Sequence, residues 1–201
     1  MKKLNVFLTQ NQTDYRRWYK FENAKVIRMD NDTTSNKGSH EQIIKDFENG
    51  KYNILIGTQM ISKGLNFKNV SLVGVISGDS SLNIPDFRSG ERTFDLLNQI
   101  TGRAGRFELE GTVIIQGFNI NHYSIVKAVE NDYEGFYNEE LNLRKILKYS
   151  PFYNLSLIKV KNSNYELASI EANKIANYLR NQKHIDVYIL GPAPAMIPKL
   201  N

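Results

Sequence analysis

The sequence predicts an α/β fold, a mostly parallel sheet with helices packed on it, followed by a partial, smaller α+β domain. Short apolar runs of strand length alternate with segments whose apolar residues recur at helical spacing. Strands separated by helices close into an open parallel sheet covered on both faces. The pattern then changes character at Pro151, which divides the chain into residues 1–150 and 151–201.

The elements follow in order. LNVFL near the start is a candidate strand. TDYRRWYKF is a candidate helix with Tyr15, Trp18 and Tyr19 on one side, a group that suits packing or, less commonly, stacking on a base. AKVIRM reads as a strand, and the polar run with Asp30, Asp32, Thr33 and Thr34 as a turn closed by side-chain caps. Ser39 and Gln42 have capping-box spacing, in which each side chain satisfies a free N–H of the first helical turn. Ile43, Ile44 and Phe47 share a face of that helix, and Gly50 ends it. NILIG and VSLVGVI are strands flanking TQMISKGLNFKN. After Pro85, residues 88–100 predict a helix with Phe94 and Leu97 inward and Arg88, Glu91 and Arg92 on a charged, exposed face. TVIIQG is the next strand. Residues 122–148 predict one helix with Ile125, Val126, Val129, Phe136, Leu143 and Leu147 on its apolar side. Beyond Pro151, LSLIKVK, a helix over 165–180 and VYIL predict a truncated β-α-β unit. Tyr149, Phe152 and Tyr153 are expected to pack the junction.

Composition narrows the function classes. No apolar run is long enough to span a bilayer, and MKKLNVFLTQ lacks a cleavable small-residue site, so neither a membrane partner nor a signal peptide is expected. The absence of cysteine excludes disulfides and thiolate zinc sites and fits a cytoplasmic location. His40, His122 and His184 have no metal-ligand spacing. The formal charge of +5 favours polyanionic partners without identifying one.

Two segments carry chemistry. Thr58, Gln59, Met60, Ile61, Ser62, Lys63, Gly64, Leu65, Asn66 and Phe67 follow a buried strand directly. In open α/β sheets, ligands bind outside the carboxyl ends of strands. Hydroxyls, backbone N–H groups and a lysine suit phosphate oxygens there, although a plain polar turn has the same composition. The second segment is Gln99, Ile100, Thr101, Gly102, Arg103, Ala104, Gly105 and Arg106. Glycines admit close approach of a ligand, and arginine grips phosphate through two N–H bonds. A basic helix end favoured by the helix dipole is the plainer account.

In this order, and about 40 residues apart, the two segments resemble motifs V and VI of superfamily 2 helicases. The stretches RMDNDTTSNKGSHEQIIKDFENG, IPDFRSGERTFDLLNQITGRAGR and DYEGFYNEEL with RKILKYSPF are similar to the primosomal, replication-restart branch of those helicases. The resemblance is close over residues 24–160, and the GPAPAMIPK tail shares it. It implies that residues 1–150 are a RecA-like second helicase lobe and that 151–201 begin a C-terminal domain. ATP with Mg²⁺ would be bound mostly by a first lobe. Arg103 and Arg106 would reach its phosphates, either one as an arginine finger, with Gly102 beside them. Gln99 would link to the first lobe's acidic motif. Thr58, Gln59 and Lys63 would face the DNA backbone, and Gly64 would allow close approach. Position 66 is often Asp, contacting ribose; here it is Asn66, which keeps hydrogen bonding but not the charge.

Other departures are larger. The chain contains no GxxxxGK[ST] phosphate loop. It also lacks the zinc-binding cysteines expected in the full-length family, and its first dozen residues fit the pattern poorly. The expectation is therefore a fragment of a longer 3′→5′ DNA helicase, inactive by itself as an ATPase. Its expected partners are branched or single-stranded DNA, the first lobe, single-strand-binding protein and primosome proteins. The competing readings are a non-catalytic module that docks DNA or replication proteins, and a freestanding regulatory remnant.

Overall fold

The computed structural model describes residues 4–9, 22–30, 38–58, 61, 70–101, 111–182 and 187–194. Five strands, β1 (Leu4–Leu8), β2 (Val26–Met29), β3 (Ile54–Gly57), β4 (Val70–Val75) and β5 (Thr112–Ile115), form one sheet in the order β2-β3-β1-β4-β5. Every pairing is parallel. The register aligns Met29, Gly57, Leu8, Val75 and Ile115 across the carboxyl end of the sheet. Two rows earlier, on the same face, Ile27, Leu55, Val6, Val73 and Val113 lie side by side.

Helices α1 (Ser39–Glu48), α2 (Ser89–Thr101), α3 (Tyr123–Val129) and α4 (Tyr133–Ile146) complete the first unit. Phe47, Phe94, Leu97, Ile100, Ile125, Ala128 and Phe136 from these helices join Val6, Leu8, Met29, Leu55 and Val75 in one core cluster. A handedness rule explains why they share a face. Parallel crossovers are right-handed, and β2-α1-β3 and β4-α2-β5 step across the sheet in the same direction. A smaller cluster of Val26, Ile54 and Ile56, with Phe7 and Ala24, occupies the opposite face. The helix expected over TDYRRWYKF lies outside the described residues.

Local chemistry changes three of the expected elements. The residue expected to cap α1 lies inside it. The N-cap of α1 is Gly38 at φ 88°, a conformation L-residues rarely adopt, so the helix starts one residue early. The Gln42 amide nitrogen donates to Asp46 Oδ1 at 2.9 Å. The single helix expected over 122–148 is two helices. Asn131 takes φ 54°, and Asp132 caps α4 by accepting from the Gly135 N–H at 2.8 Å. The break turns Val129 and Leu147 out to solvent, at 55% and 58% exposure. The charged face of α2 is also more engaged than expected, because Glu91 is paired with Arg144 at 2.6 Å and Arg92 with Asp86 at 2.7 Å.

A polar network ties the helical layer together. The buried Glu140 accepts from the Tyr123 hydroxyl and from Arg144 Nε, the latter at 2.7 Å. Arg144 also reaches Glu91 on α2 and lies over the Phe87 ring, which stacks on Tyr149. Burial, then the bond to Glu140, pushes the Tyr123 phenol well up, so it stays a donor. Gly90 permits this approach of α2, since a Cβ there would lie 2.7 Å from the Tyr123 hydroxyl and 3.2 Å from Glu140 Oε2.

The chain divides into two compact units, Met1–Tyr153 and Asn154–Asn201. In the second, α5 (Tyr165–Arg180) is capped by Asn164, whose side chain accepts from the Glu166 and Leu167 N–H groups. Residues 155–161 and 187–190, expected as strands, join no ladder. A strand needs a neighbour for its N–H and C=O groups. Leu157, Ile158, Tyr188 and Leu190 are exposed.

Replacing Arg144 with Ala leaves Glu140 buried beside a single neutral donor. We expect a loss of about 3 kcal/mol in the denaturant-unfolding free energy, with less loss for Arg144→Lys.

Candidate functional site

Thr58 stands one residue past β3, at the carboxyl edge of the sheet. The ladder continues there through Thr9 N–H donating to Gly57 O and Ile76 N–H donating to Leu8 O, both at 2.8 Å. The turn after Thr58 is fixed at Ile61, whose N–H donates to Thr58 O at 3.1 Å and whose side chain is buried in the main core. Gly57 is required for this packing. A Cβ on it would come within 2.0 Å of Met29 O and 2.6 Å of Ile61 Cδ1.

Gln99 lies in the last turn of α2 with an exposed side chain, between the buried Leu97 and Ile100. Thr101 ends that helix. Its hydroxyl oxygen lies 3.1 Å from Leu97 O and 3.3 Å from Ala128 O on α3, with one proton to share between these acceptors. The point from which the arginine segment emerges is therefore pinned to a neighbouring helix. Gln59, Lys63, Gly64, Asn66, Gly102, Arg103 and Arg106 lie outside the described residues.

The described ends of both segments carry information. Thr58 stands past the carboxyl end of β3, and Val70 opens β4 at the amino edge. Thr101 ends α2, and Thr112 opens β5, which pairs directly with β4. Val70 and Thr112 thus begin adjacent strands on one edge, while Thr58 stands on the other.

A family model described as the helicase conserved C-terminal domain matches residues 2–108. The chain belongs to that family. The helicase match takes in β1, so the first residues, which the sequence pattern set apart, supply the central strand of the helicase sheet. The replication restart protein PriA of Bacillus subtilis (strain 168) is 50% identical over 177 residues, covering 88% of this chain and 22% of that protein. Its counterpart in Chlamydia pneumoniae is 42% identical over 162 residues, 81% of this chain and 22% of that protein. The chain spans about a fifth of the length of these curated relatives. The solved C-terminal domain of the DEAD-box protein Dbp5 is 21% identical, with a TM-score of 0.48, covering 74% of this chain and 82% of that one. No described helix is long and apolar enough to cross a membrane.

A further residue organises the carboxyl edge of this helicase domain and was not visible in the sequence. Asp79 is buried, and its Oδ2 accepts from the Phe118 and Asn119 N–H groups at 2.7 and 2.8 Å. It thereby joins the loop after β4 to the loop after β5. Nothing in the local run SGDSS signals a buried carboxylate, because its donors come from about 40 residues downstream. His122 caps α3, its Nδ1 accepting from the Ser124 N–H at 3.3 Å.

Two outcomes follow. Gly57→Ala should lower stability by about 3 kcal/mol, read from the shift in the urea midpoint. The Asn119 and Phe118 N–H groups hold the Asp79 carboxyl below its ordinary value of 3.8. The folded value is thus below the unfolded one, so this contribution is complete above the unfolded value and fades as pH falls through the folded one. The stability gap between wild type and Asp79→Asn should be constant above about pH 5 and shrink below pH 3.8.

Proposed function

We propose that this chain is the second motor lobe of an ATP-dependent DNA helicase acting in replication restart and primosome assembly. The observation that carries the reading is where the described ends of the two helicase segments stand. Thr58 opens the first on the carboxyl edge of the parallel sheet, and Gln99 and Thr101, in the last turn of α2, begin the second. This supports a division of labour. Thr58, Gln59 and Lys63 would contact the DNA backbone. Gly64, Asn66, Gly102, Arg103 and Arg106 would face nucleotide bound mainly by the first lobe.

The donor set suits that nucleotide. Two arginines among glycines offer paired N–H groups and fixed positive charge to phosphate oxygens. Arg103 or Arg106 would stabilise charge on the transferring phosphoryl group, a contribution worth roughly 10³–10⁵ in rate. Gln99, exposed on a helix end anchored by Thr101, is suited to bridge to the partner lobe. Magnesium would be held by the first lobe. Catalysis of this kind depends on groups from both lobes positioned together. The chain alone would hydrolyse ATP negligibly. In the complete motor, lobe closure and opening would drive 3′→5′ movement along one strand, with single-strand-binding protein and primosome proteins as further partners.

The test is DNA-stimulated ATP hydrolysis after mixing this chain with a separately prepared first lobe. Activity is expected only on mixing, and Arg103→Ala or Arg106→Ala should lower it at least 10³-fold. Hydrolysis by this chain alone, or arginine variants as active as wild type, would overturn the reading.

A further inference from the structure

We infer that Phe118 is a base-stacking contact for single-stranded DNA on the carboxyl edge of the sheet. This rests on the nucleic-acid role proposed for Thr58.

The Phe118 side chain is 102% exposed, yet its backbone is fixed. Its N–H and that of Asn119 both donate to the buried Asp79 carboxylate. Gly117 packs so closely that an added Cβ would lie 2.8 Å from Asp79 Oδ1. Gln116 continues the ladder, donating to Val75 O and accepting from the Gly78 N–H, both at 2.8 Å. The ring is therefore held in water by a stiff support.

A lone exposed apolar residue is ordinary, so the surroundings decide what this one means. Ile84 and Ile120, on the same pair of joined loops, are 48% and 49% exposed. Arg88 and Arg92, at the start of α2, follow the same strand ends and are half-exposed. Asp86 is shared between both guanidiniums, at 3.7 and 2.7 Å, so one carboxylate answers two positive charges. The edge thus offers a flat aromatic face, with exposed aliphatic side chains and two half-exposed arginines on the loops and helix start of the same edge. Successive nucleotides present the complement, a planar π-face and a phosphate. An apolar protein segment would cover the ring and the isoleucines but leave the arginines without a role. Thr58 belongs to the same edge. Strands β1 and β4 separate β3 from β5, so the strand ends are about 14 Å apart at ordinary strand spacing, near enough for one bound strand to reach both.

The experiment is binding of fluorescein-labelled oligothymidylate to the full chain, followed by anisotropy over a range of salt concentrations. Because the ring touches no core, Phe118→Ala should keep the wild-type melting temperature. It should weaken binding about 5- to 150-fold, the worth of one stacked base, without changing the slope of log affinity against log salt, which counts phosphate contacts. Phe118→Trp should retain affinity. Equal affinity of wild type and Phe118→Ala overturns the inference while leaving the DNA role of Thr58 standing. A loss that is just as large on an abasic oligonucleotide also overturns stacking. A wild-type chain that binds no oligonucleotide at low salt overturns both readings together.

Discussion

All strands of the sheet run parallel, and most of the architecture follows from that constraint. No two neighbours can be joined by a tight turn, so every connection must travel from the carboxyl edge back to the amino edge. The order β2-β3-β1-β4-β5 adds a second demand, because the chain must pass over β1 between β3 and β4. Thr58, the first residue of one helicase segment, and Val70, the start of β4, are thereby assigned to opposite edges of the sheet, and Val70 lies on the strand beside β5.

The helical layer gives that topology a fixed frame. Helix α2 is held along its whole length. Near its start, Gly90 lets it approach Tyr123 and Glu140, and Arg144 reaches across to Glu91. In its middle, Phe94 stacks on Phe136 with centroids 4.0 Å apart. At its end, the Thr101 hydroxyl meets the last turn of α3. A residue on a helix so restrained can be aimed, which is what Gln99 and the arginine segment require if they act across a cleft. At the other edge, Asp79 does for two loops what Glu140 does for three helices. It gathers two N–H donors distant in sequence onto one oxygen of a buried carboxylate, and those charge-assisted bonds offset the cost of burying it.

The sequence by itself determined the order and kind of elements in the first unit. Apolar runs of four to six residues marked β1 to β5, and helical spacing placed Phe47, Phe94 and Leu97 in the core. Motif spacing pointed to the helicase family without help from the fold, since Gln99 to Arg106 is a local pattern of chemically specific residues. Where the sequence misled, a local conformation prevailed over periodicity. Asn131 in the left-handed region split one helix into two, and Gly38 took the N-cap position expected of Ser39. The strand-like runs beyond Pro151 form no strand among the described residues, because apolar alternation expresses readiness for a ladder and cannot supply its neighbour.

What only the tertiary structure decided is which distant groups meet. Glu140 and Arg144 on α4, Tyr123 on α3 and Glu91 on α2 are ordinary charged and aromatic residues until packing brings three helices into one network. Asp79 sits in an ordinary polar run, and Gly57 closes an ordinary strand. Each matters because burial removes water as an alternative partner. The only groups left to satisfy a carboxylate, or to crowd a Cβ, are then those the fold delivers from elsewhere in the chain.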